Sequence, residues 1–367
     1  MKKYNLVLVG LFCLVIFIMP VLFVINQWVV LDSQYADQNF EKRIPAALPD
    51  IRQTGIGAWP DAMEEYFRDH LPMRHSIIRG NATLDRELFH STASIKIYLG
   101  KDGWLFFKDS AGVTNIADYQ GILPLDDTLA QNTLALLREF GEQQSANGRQ
   151  VVFFIPPNKE AVYGEYLPSG IPQLNSVSRS DRLLALTEEQ VSSVLTVDPK
   201  PRLLAAAQED QYLYYKTDTH WNGRGAYLGA TALLEALQVP YDPYDSVDFY
   251  VNGETSGDLA ALGAQDVPAE STYGRYWEDG VTVATINAEM YASDATDERR
   301  VLFLGDSFRY ALHDILPHYF AEIRFASLYD ASAALIDEYD PDVIILEQVE
   351  RNLENFMLYL PALLETG

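Results

Sequence analysis

Two short motifs in the sequence hold the residues from which a nucleophilic centre can be built. The first is Asp218-Thr219-His220-Trp221. In an extended segment, residues two apart point the same way, with α-carbons about 6.6 Å apart, so Asp218 can accept a hydrogen bond from the His220 ring. That bond fixes the imidazole tautomer, which is the orienting role of a triad acid. The alternative is a hydrogen-bonded histidine in a polar loop. The second motif is Gly305-Asp306-Ser307-Phe308, which directly follows the apolar run Val301–Leu304. A serine at a strand-to-helix turn stands at the carboxyl edge of an α/β sheet, and its own N–H points toward developing negative charge. The competing role for Asp306 or Ser307 is a plain helix cap. Together Asp218, His220 and Ser307 supply acid, base and nucleophile in that chain order. A metal centre is not expected, because the other five histidines are scattered and the single cysteine, Cys13, lies in an apolar N-terminal run.

The elements that must bring these motifs together alternate strand and helix after Gly103-Trp104-Leu105-Phe106-Phe107, the pattern of a mainly parallel sheet covered by helices. Strands are expected at Val151–Ile155, Val194–Val197, Tyr212–Tyr215, Val301–Leu304, Ile323–Leu328 and Val343–Leu346. Helices are expected at Thr128–Gln144, Gly223–Leu237, near Phe308–Leu316 and near Ala331–Tyr339, with an earlier helical stretch from Asp61 to Phe89 divided at Pro72. Pro240–Asp297 shows no sustained period and reads as loops or a small insertion. All strands of a parallel sheet end on one edge, so this arrangement can carry residues far apart in sequence to one place.

Composition narrows the function. The 367 residues contain 52 acidic and 27 basic side chains, for a formal charge of -25, and no long basic run interrupts that excess. Nucleic-acid binding, which rests on Lys and Arg neutralising phosphates, is disfavoured. From Tyr4 to Leu31 no side chain carries a formal charge. That run exceeds the roughly 20 residues needed to cross about 30 Å of hydrocarbon. Lys2 and Lys3 precede it and Asp32 follows, so the positive-inside bias keeps the N-terminus in the cytoplasm and exports residues 32–367. The expected organisation is an anchor over 1–31, a polar stalk over 32–57 and a catalytic domain with a helical N-terminal extension over 58–367. A cleaved signal peptide is the rival reading, but no small-x-small site follows the run.

These motifs in this order resemble the alginate O-acetyltransferase family of SGNH-hydrolase-like proteins. Gly103-Trp104-Leu105-Phe106 is similar to the family's early glycine-tryptophan motif, and Pro157-Asn158-Lys159 through Tyr163 to Pro168 to its next block. Thr217-Asp218-Thr219-His220-Trp221-Asn222 resembles the acid and base motif, Gly257-Asp258-Leu259 a following loop, Gly305-Asp306-Ser307-Phe308 the nucleophile motif, and Glu350-Arg351 a C-terminal one. The resemblance covers about residues 60 to 352. It implies a permuted SGNH-hydrolase-like parallel sheet flanked by helices, behind an N-terminal transmembrane helix. In ordinary SGNH hydrolases the serine motif comes first; here, as in this family, it comes last. The resemblance makes Ser307 the nucleophile, His220 the general acid and base, and Asp218 its orienting partner. Asn158 and Arg309 become candidate oxyanion donors, with an exposed salt bridge the alternative for Arg309. Lys159 becomes a holder of a carboxylate or a loop, and Trp221 and Tyr163 become candidate sugar-stacking rings, with packing the alternative for both.

The function this resemblance implies is O-acetyl transfer to hydroxyls of an extracytoplasmic bacterial polysaccharide, at the outer side of the inner membrane, facing the periplasm or the exterior. The resemblance also implies no bound cofactor, an acetyl donor supplied from outside, and a membrane-bound O-acyltransferase as partner. Two alternatives stay open: a carbohydrate acetyl-esterase, and a non-catalytic polysaccharide-binding scaffold of an export complex. Beyond the two N-terminal lysines the chain holds 25 basic residues against 52 acidic ones. That excess repels a polyanion at long range and favours a neutral or weakly charged glycan as acceptor.

Overall fold

A computed structural model describes residues 3–26, 28–29, 45–92, 94–109, 114–209 and 212–364. The chain divides into two compact units, residues 1–94 with 260–267, and residues 95–259 with 268–367. In the first unit, the helices Trp59–Asp69 and Arg74–Phe89 are separated around Pro72, where proline ends a helix for want of an N–H donor. Arg79 and Arg86 tie the second of these helices to the segment Ala260–Val267 through Asp266. The expected anchor falls on the helix Lys3–Asn26 and on residues 1, 2, 27, 30 and 31, which lie outside the described residues together with the side chains at 3–6, 15, 16 and 19. Of the stalk, residues 32–44 also lie outside them. Among the described residues no helix is long and apolar enough to cross a membrane.

Among the described residues the second unit carries eleven strands: β1 (Ile97–Leu99), β2 (Leu105–Phe107), β3 (Gln150–Phe154), β4 (Val194–Val197), β5 (Phe249–Thr255), β6 (Glu270–Arg275), β7 (Val283–Asn287), β8 (Met290–Ser293), β9 (Asp297–Gly305), β10 (Phe320–Ser327) and β11 (Val343–Glu347). Seven form one mixed sheet in the order β4-β3-β11-β9-β10-β8-β7. Its first five strands are parallel, and β8 and β7 add an antiparallel edge. Val152, Phe154, Val301, Phe303, Val343 and Ile345 pack on one face with Leu203, Ala226 and Leu233 from the helices Lys200–Gln208 and Gly223–Ala236. Val151, Phe153, Leu302, Leu304, Ile344 and Leu346 pack on the other with Leu134, Leu137, Leu183 and Leu360 from the helices Asp127–Ala146, Arg179–Gln190 and Phe356–Leu364. Burial on both faces is why these strands read as unbroken apolar runs rather than alternating ones.

Three expectations are corrected. Tyr212–Tyr215 is not a sheet strand; only an isolated antiparallel bridge joins Tyr214 to Trp221. Its backbone groups are shared out: the Tyr163 hydroxyl accepts from the Leu213 N–H and Lys159 donates to the Tyr215 carbonyl, while the Leu213 carbonyl accepts from the Asn222 N–H and the Tyr215 N–H donates to the His220 carbonyl. Pro240–Asp297 is not irregular, for it holds the hairpin β5–β6 and the edge strands β7 and β8. Those strands are exposed or half-exposed throughout, so no apolar period marks them. The helix expected near Phe308–Leu316 is shorter, a 3₁₀ turn over Ser307–Leu312 followed by another over Leu316–His318.

The central strands set the stability of the unit. Leu346 on β11 is fully buried, pairs with Phe153 on one side and Leu304 on the other, and belongs to the core of one face. Leu346→Ala is expected to cost about 2–5 kcal/mol through lost transfer energy and the cavity left behind. A shift of the denaturant midpoint at unchanged slope checks it.

Candidate active site

Strand β9 runs straight into the nucleophile turn. Its last residues, Val301–Gly305, are buried, and Asp306 caps the 3₁₀ helix by accepting from the Phe308 N–H at 2.9 Å. Ser307 is thereby the first residue past the buried edge, and its side chain is exposed. Its Oγ lies 2.7 Å from His220 Nε2, across 87 residues of sequence. On the other side of the ring, Nδ1 donates to Asp218 Oδ1 at 2.6 Å, so serine, imidazole and carboxylate form one hydrogen-bonded line. Phe308 supports the imidazole, with ring centroids 5.0 Å apart.

Beneath Ser307 a buried carboxyl cluster holds the turn. The other carboxylate oxygen of Asp306 accepts from Gln348 Nε2 at 2.8 Å and from the Val349 N–H at 3.0 Å. The Asp306 N–H donates to Glu347 Oε2 at 2.9 Å. Burial, then the neighbouring Asp306 carboxylate, hold the Glu347 carboxyl well above the usual carboxylate range. Glycine at 305 permits this approach, since a Cβ there would stand 2.4 Å from Glu347 Oε2. Arg309 closes the turn from its far side by donating to the carbonyls of Gly305 at 3.2 Å and Asp306 at 2.9 Å.

The loop carrying Asp218 and His220 is held by buried side chains as well as by isolated backbone bonds, among them the Leu105 N–H to the Lys216 carbonyl at 2.8 Å. Lys159 is 1% exposed, and its Nζ donates to the carbonyls of Tyr215 (3.1 Å), Lys216 (3.0 Å) and Asp218 (2.6 Å). Burial lowers its ammonium to about 8, and the carboxylates of Glu160, Asp258, Asp218 and Glu270 oppose a further fall. Glu270 accepts from the N–H groups of Lys216 at 2.7 Å and Thr217 at 2.8 Å. The loop 257–259 then braces the acid. The Asp258 N–H donates to Asp218 Oδ2 at 2.8 Å, the Leu259 N–H to the Thr217 carbonyl at 3.0 Å, and the Asp258 carboxylate accepts from the Thr219 N–H at 2.8 Å and hydroxyl at 2.7 Å. Only glycine fits at 257, because a Cβ would stand 1.9 Å from the Thr217 carbonyl oxygen. Burial alone raises the Asp218 carboxyl, but the hydrogen bond and charge of His220, with the N–H groups of Asp258 and His220, bring it down to about 2.

Asp218, His220 and Asp258 each offer one atom within 4.8 Å of the others, a spacing that a metal could use. Their lone pairs are already committed to His220, to Thr219 and to backbone N–H groups, which suits a proton-handling pair.

The remaining sequence candidates separate. Asn158 is buried at the end of β3; its Oδ1 accepts from Arg351 at 3.4 Å, and its Nδ2 is buried with no partner. Arg309 is buried, which corrects the exposure expected of it; its Nη1 donates to the turn carbonyls, while Nη2 keeps the salt bridge, 3.5 Å from Glu289. Trp221 is 1% exposed, donates to the Phe308 carbonyl at 3.1 Å and packs on that ring, so it does not stack on a sugar. Tyr163 is likewise buried, stacked on Trp104 at 4.4 Å, with its hydroxyl accepting from the Leu213 N–H. Sequence reasoning gave no role to Asp258, Glu270, Glu347 or Gln348. Asp258 carried a signal in the glycine before it; the others carried none, as each acts through a long-range contact.

Two outcomes are expected. Lys159→Met leaves three carbonyls unpaired beside His220 and is expected to lower turnover about a hundredfold through a small misplacement of the base, measured as kcat on an activated acetyl ester. Since Asp218 sits below its ordinary value, its contribution to stability is full above 3.8 and is lost as pH falls through about 2. Asp218→Asn is expected to lose less stability than the wild type across that window, read by acid unfolding.

A family model described as SGNH hydrolase-like domain, acetyltransferase AlgX, matches residues 97–311. A probable alginate O-acetylase AlgJ of Pseudomonas putida is 30% identical over 187 residues, which is 49% of this chain and 44% of that protein. The chain spans under half the length of the curated relatives it matches. Among solved structures, PatB1 of Bacillus cereus superposes with a TM-score of 0.54 at 17% identity, covering 72% of this chain and 99% of that one. A DHHW family protein from Eubacterium siraeum does so with a TM-score of 0.51 at 18% identity, over 62% and 88%. At these identities the two structures share the fold.

Proposed function

We propose that this chain, which belongs to the AlgX family of SGNH hydrolase-like acetyltransferase domains, transfers acetyl groups to hydroxyls of an extracytoplasmic polysaccharide through an acetyl-serine at Ser307. The observation that carries the reading is the unbroken line from Ser307 Oγ through His220 to Asp218. His220 Nε2 takes the Ser307 proton as Oγ attacks the acetyl carbonyl, and returns that proton to the departing donor group. In the second half the acceptor hydroxyl attacks the acetyl-serine. Its proton passes to His220 and then to Ser307 Oγ as the ester to the enzyme breaks. Asp218 stays ionised and stabilises the imidazolium formed in each half. The Ser307 N–H is the proposed oxyanion donor, with Asn158 as the second candidate.

No resident cofactor enters this scheme. The acetyl donor arrives from outside, and a membrane-bound O-acyltransferase is the partner that would deliver it. The same reading holds the domain at the outer face of the bacterial cytoplasmic membrane by the run Tyr4–Leu31. Its support is the uncharged length of that run and the exposure of Val7, Leu8, Phe12 and Phe17 on the helix Lys3–Asn26. A second reading, acetyl-ester hydrolysis, is favoured by the exposure of Ser307, which lets water stand where the sugar hydroxyl would.

Ser307→Ala is expected to lower acetyl-ester turnover on the order of 10⁴-fold or more, and to abolish acetylation of the polysaccharide in cells. Turnover equal to wild type would sink the proposal. Mass spectrometry of an oligosaccharide incubated with enzyme and activated acetyl ester separates the two readings: acetylated sugar means transfer, and free acetate alone means hydrolysis.

A further inference from the structure

The hairpin β5–β6, the edge strands β7 and β8 and the segment following the 3₁₀ helix Ser307–Leu312 enclose a second cavity of about 320 Å³. Its wall begins where that helix ends. Six residues at about 2.0 Å each put His313, its nearest lining residue along the chain, about 12 Å from Ser307, a span of a few sugar units of a polymer.

The lining is that of a sugar site. Tyr250 is 39% exposed and sits against the more exposed Tyr276, with centroids 4.5 Å apart, so a partly open aromatic surface faces the rim. Asn252, Thr285 and Asp314, all exposed, bring short polar groups to the same space. Asn252 Oδ1 accepts from the Thr272 hydroxyl at 2.6 Å, which leaves its amide nitrogen as the donor. The Trp277 ring is a fixed wall, clamped between His318 at 3.6 Å and the Arg275 guanidinium at 4.0 Å. Aromatic faces with a few convergent polar groups are the usual make-up of a small-molecule site.

Its charge selects among sugars. Arg275 is committed to Asp242 and to the hydroxyls of Tyr227 and Tyr319. Burial, then the nearby Arg309 charge, hold His313 down at about 4, so it is neutral. Burial likewise lowers His318, against the pull of Asp279. Among the described residues Asp314 has no ion-pair partner, so the cavity offers no free cation and one free carboxylate.

We propose that this cavity is an acceptor subsite for the Ser307 centre, which binds an uncharged segment of the polysaccharide and disfavours a polyuronate. The inference rests on the transferase reading for its purpose, and its test uses binding alone, so the two can fail separately. Hexasaccharides of neutral glucan, mannan and galactan, and of polyuronate, are titrated calorimetrically into the full chain as wild type, as Ser307→Ala and as Tyr250→Ala with Asn252→Ala. At least one neutral hexasaccharide is expected to bind wild type and Ser307→Ala alike and more tightly than the polyuronate. The double variant, which keeps wild-type turnover of the activated acetyl ester and is therefore folded, is expected to bind it about tenfold more weakly. Binding unchanged in the double variant, tighter binding of the polyuronate, or no binding of any neutral sugar would each overturn the proposal. Loss of the transferase reading would appear instead as undiminished ester turnover in Ser307→Ala.

Discussion

The geometry of the site depends on one buried ammonium. Lys159 gives up nearly all its water, a costly state for a charge, and recovers it through three carbonyl oxygens on a single loop. Three acceptors converging on one point cannot all be kept unless residues 215–218 fold into one shape. That shape sets Asp218 two residues before His220 with both side chains turned to the nucleophile. Glu270 and Asp258 complete the constraint by taking the N–H groups that the loop would otherwise offer to a strand. This set of bonds fixes the loop that carries His220.

Ser307, the proposed nucleophile, is fixed by a different means. Val301–Gly305 is a central parallel strand with neighbours on both sides, so the position of Ser307 is inherited from the sheet. Asp306 turns the chain, and Glu347 at the end of the adjacent β11, with Gln348 and Val349 just after it, secures it. One half of the site is thus rigid through hydrogen-bond ladders, the other through a few long side chains.

This contrast also explains what could be read from sequence. The central strands β3, β9 and β11 were legible because burial on both faces leaves apolar runs at Val151–Phe154, Val301–Leu304 and Val343–Leu346, and Ser307, His220 and Asp218 were legible because each sits in a short local motif. The β5–β6 hairpin was not, since its strands are largely exposed and its residues mixed. Trp221 and Tyr163 looked like sugar platforms because aromatics beside a catalytic motif suit either role; only burial decides, and it makes both of them core. Arg309 hid its role for the same reason, as a charged side chain seldom lies buried against backbone carbonyls.

Because the acid and base loop leans on side chains while the serine leans on the sheet, the two halves of the site need not melt together. A modest rise in temperature, or a proton lost from Lys159, can loosen residues 215–220 while every strand of the sheet stays paired. Inactivation is therefore expected to precede unfolding, with activity falling on heating before the far-ultraviolet signal of the sheet does.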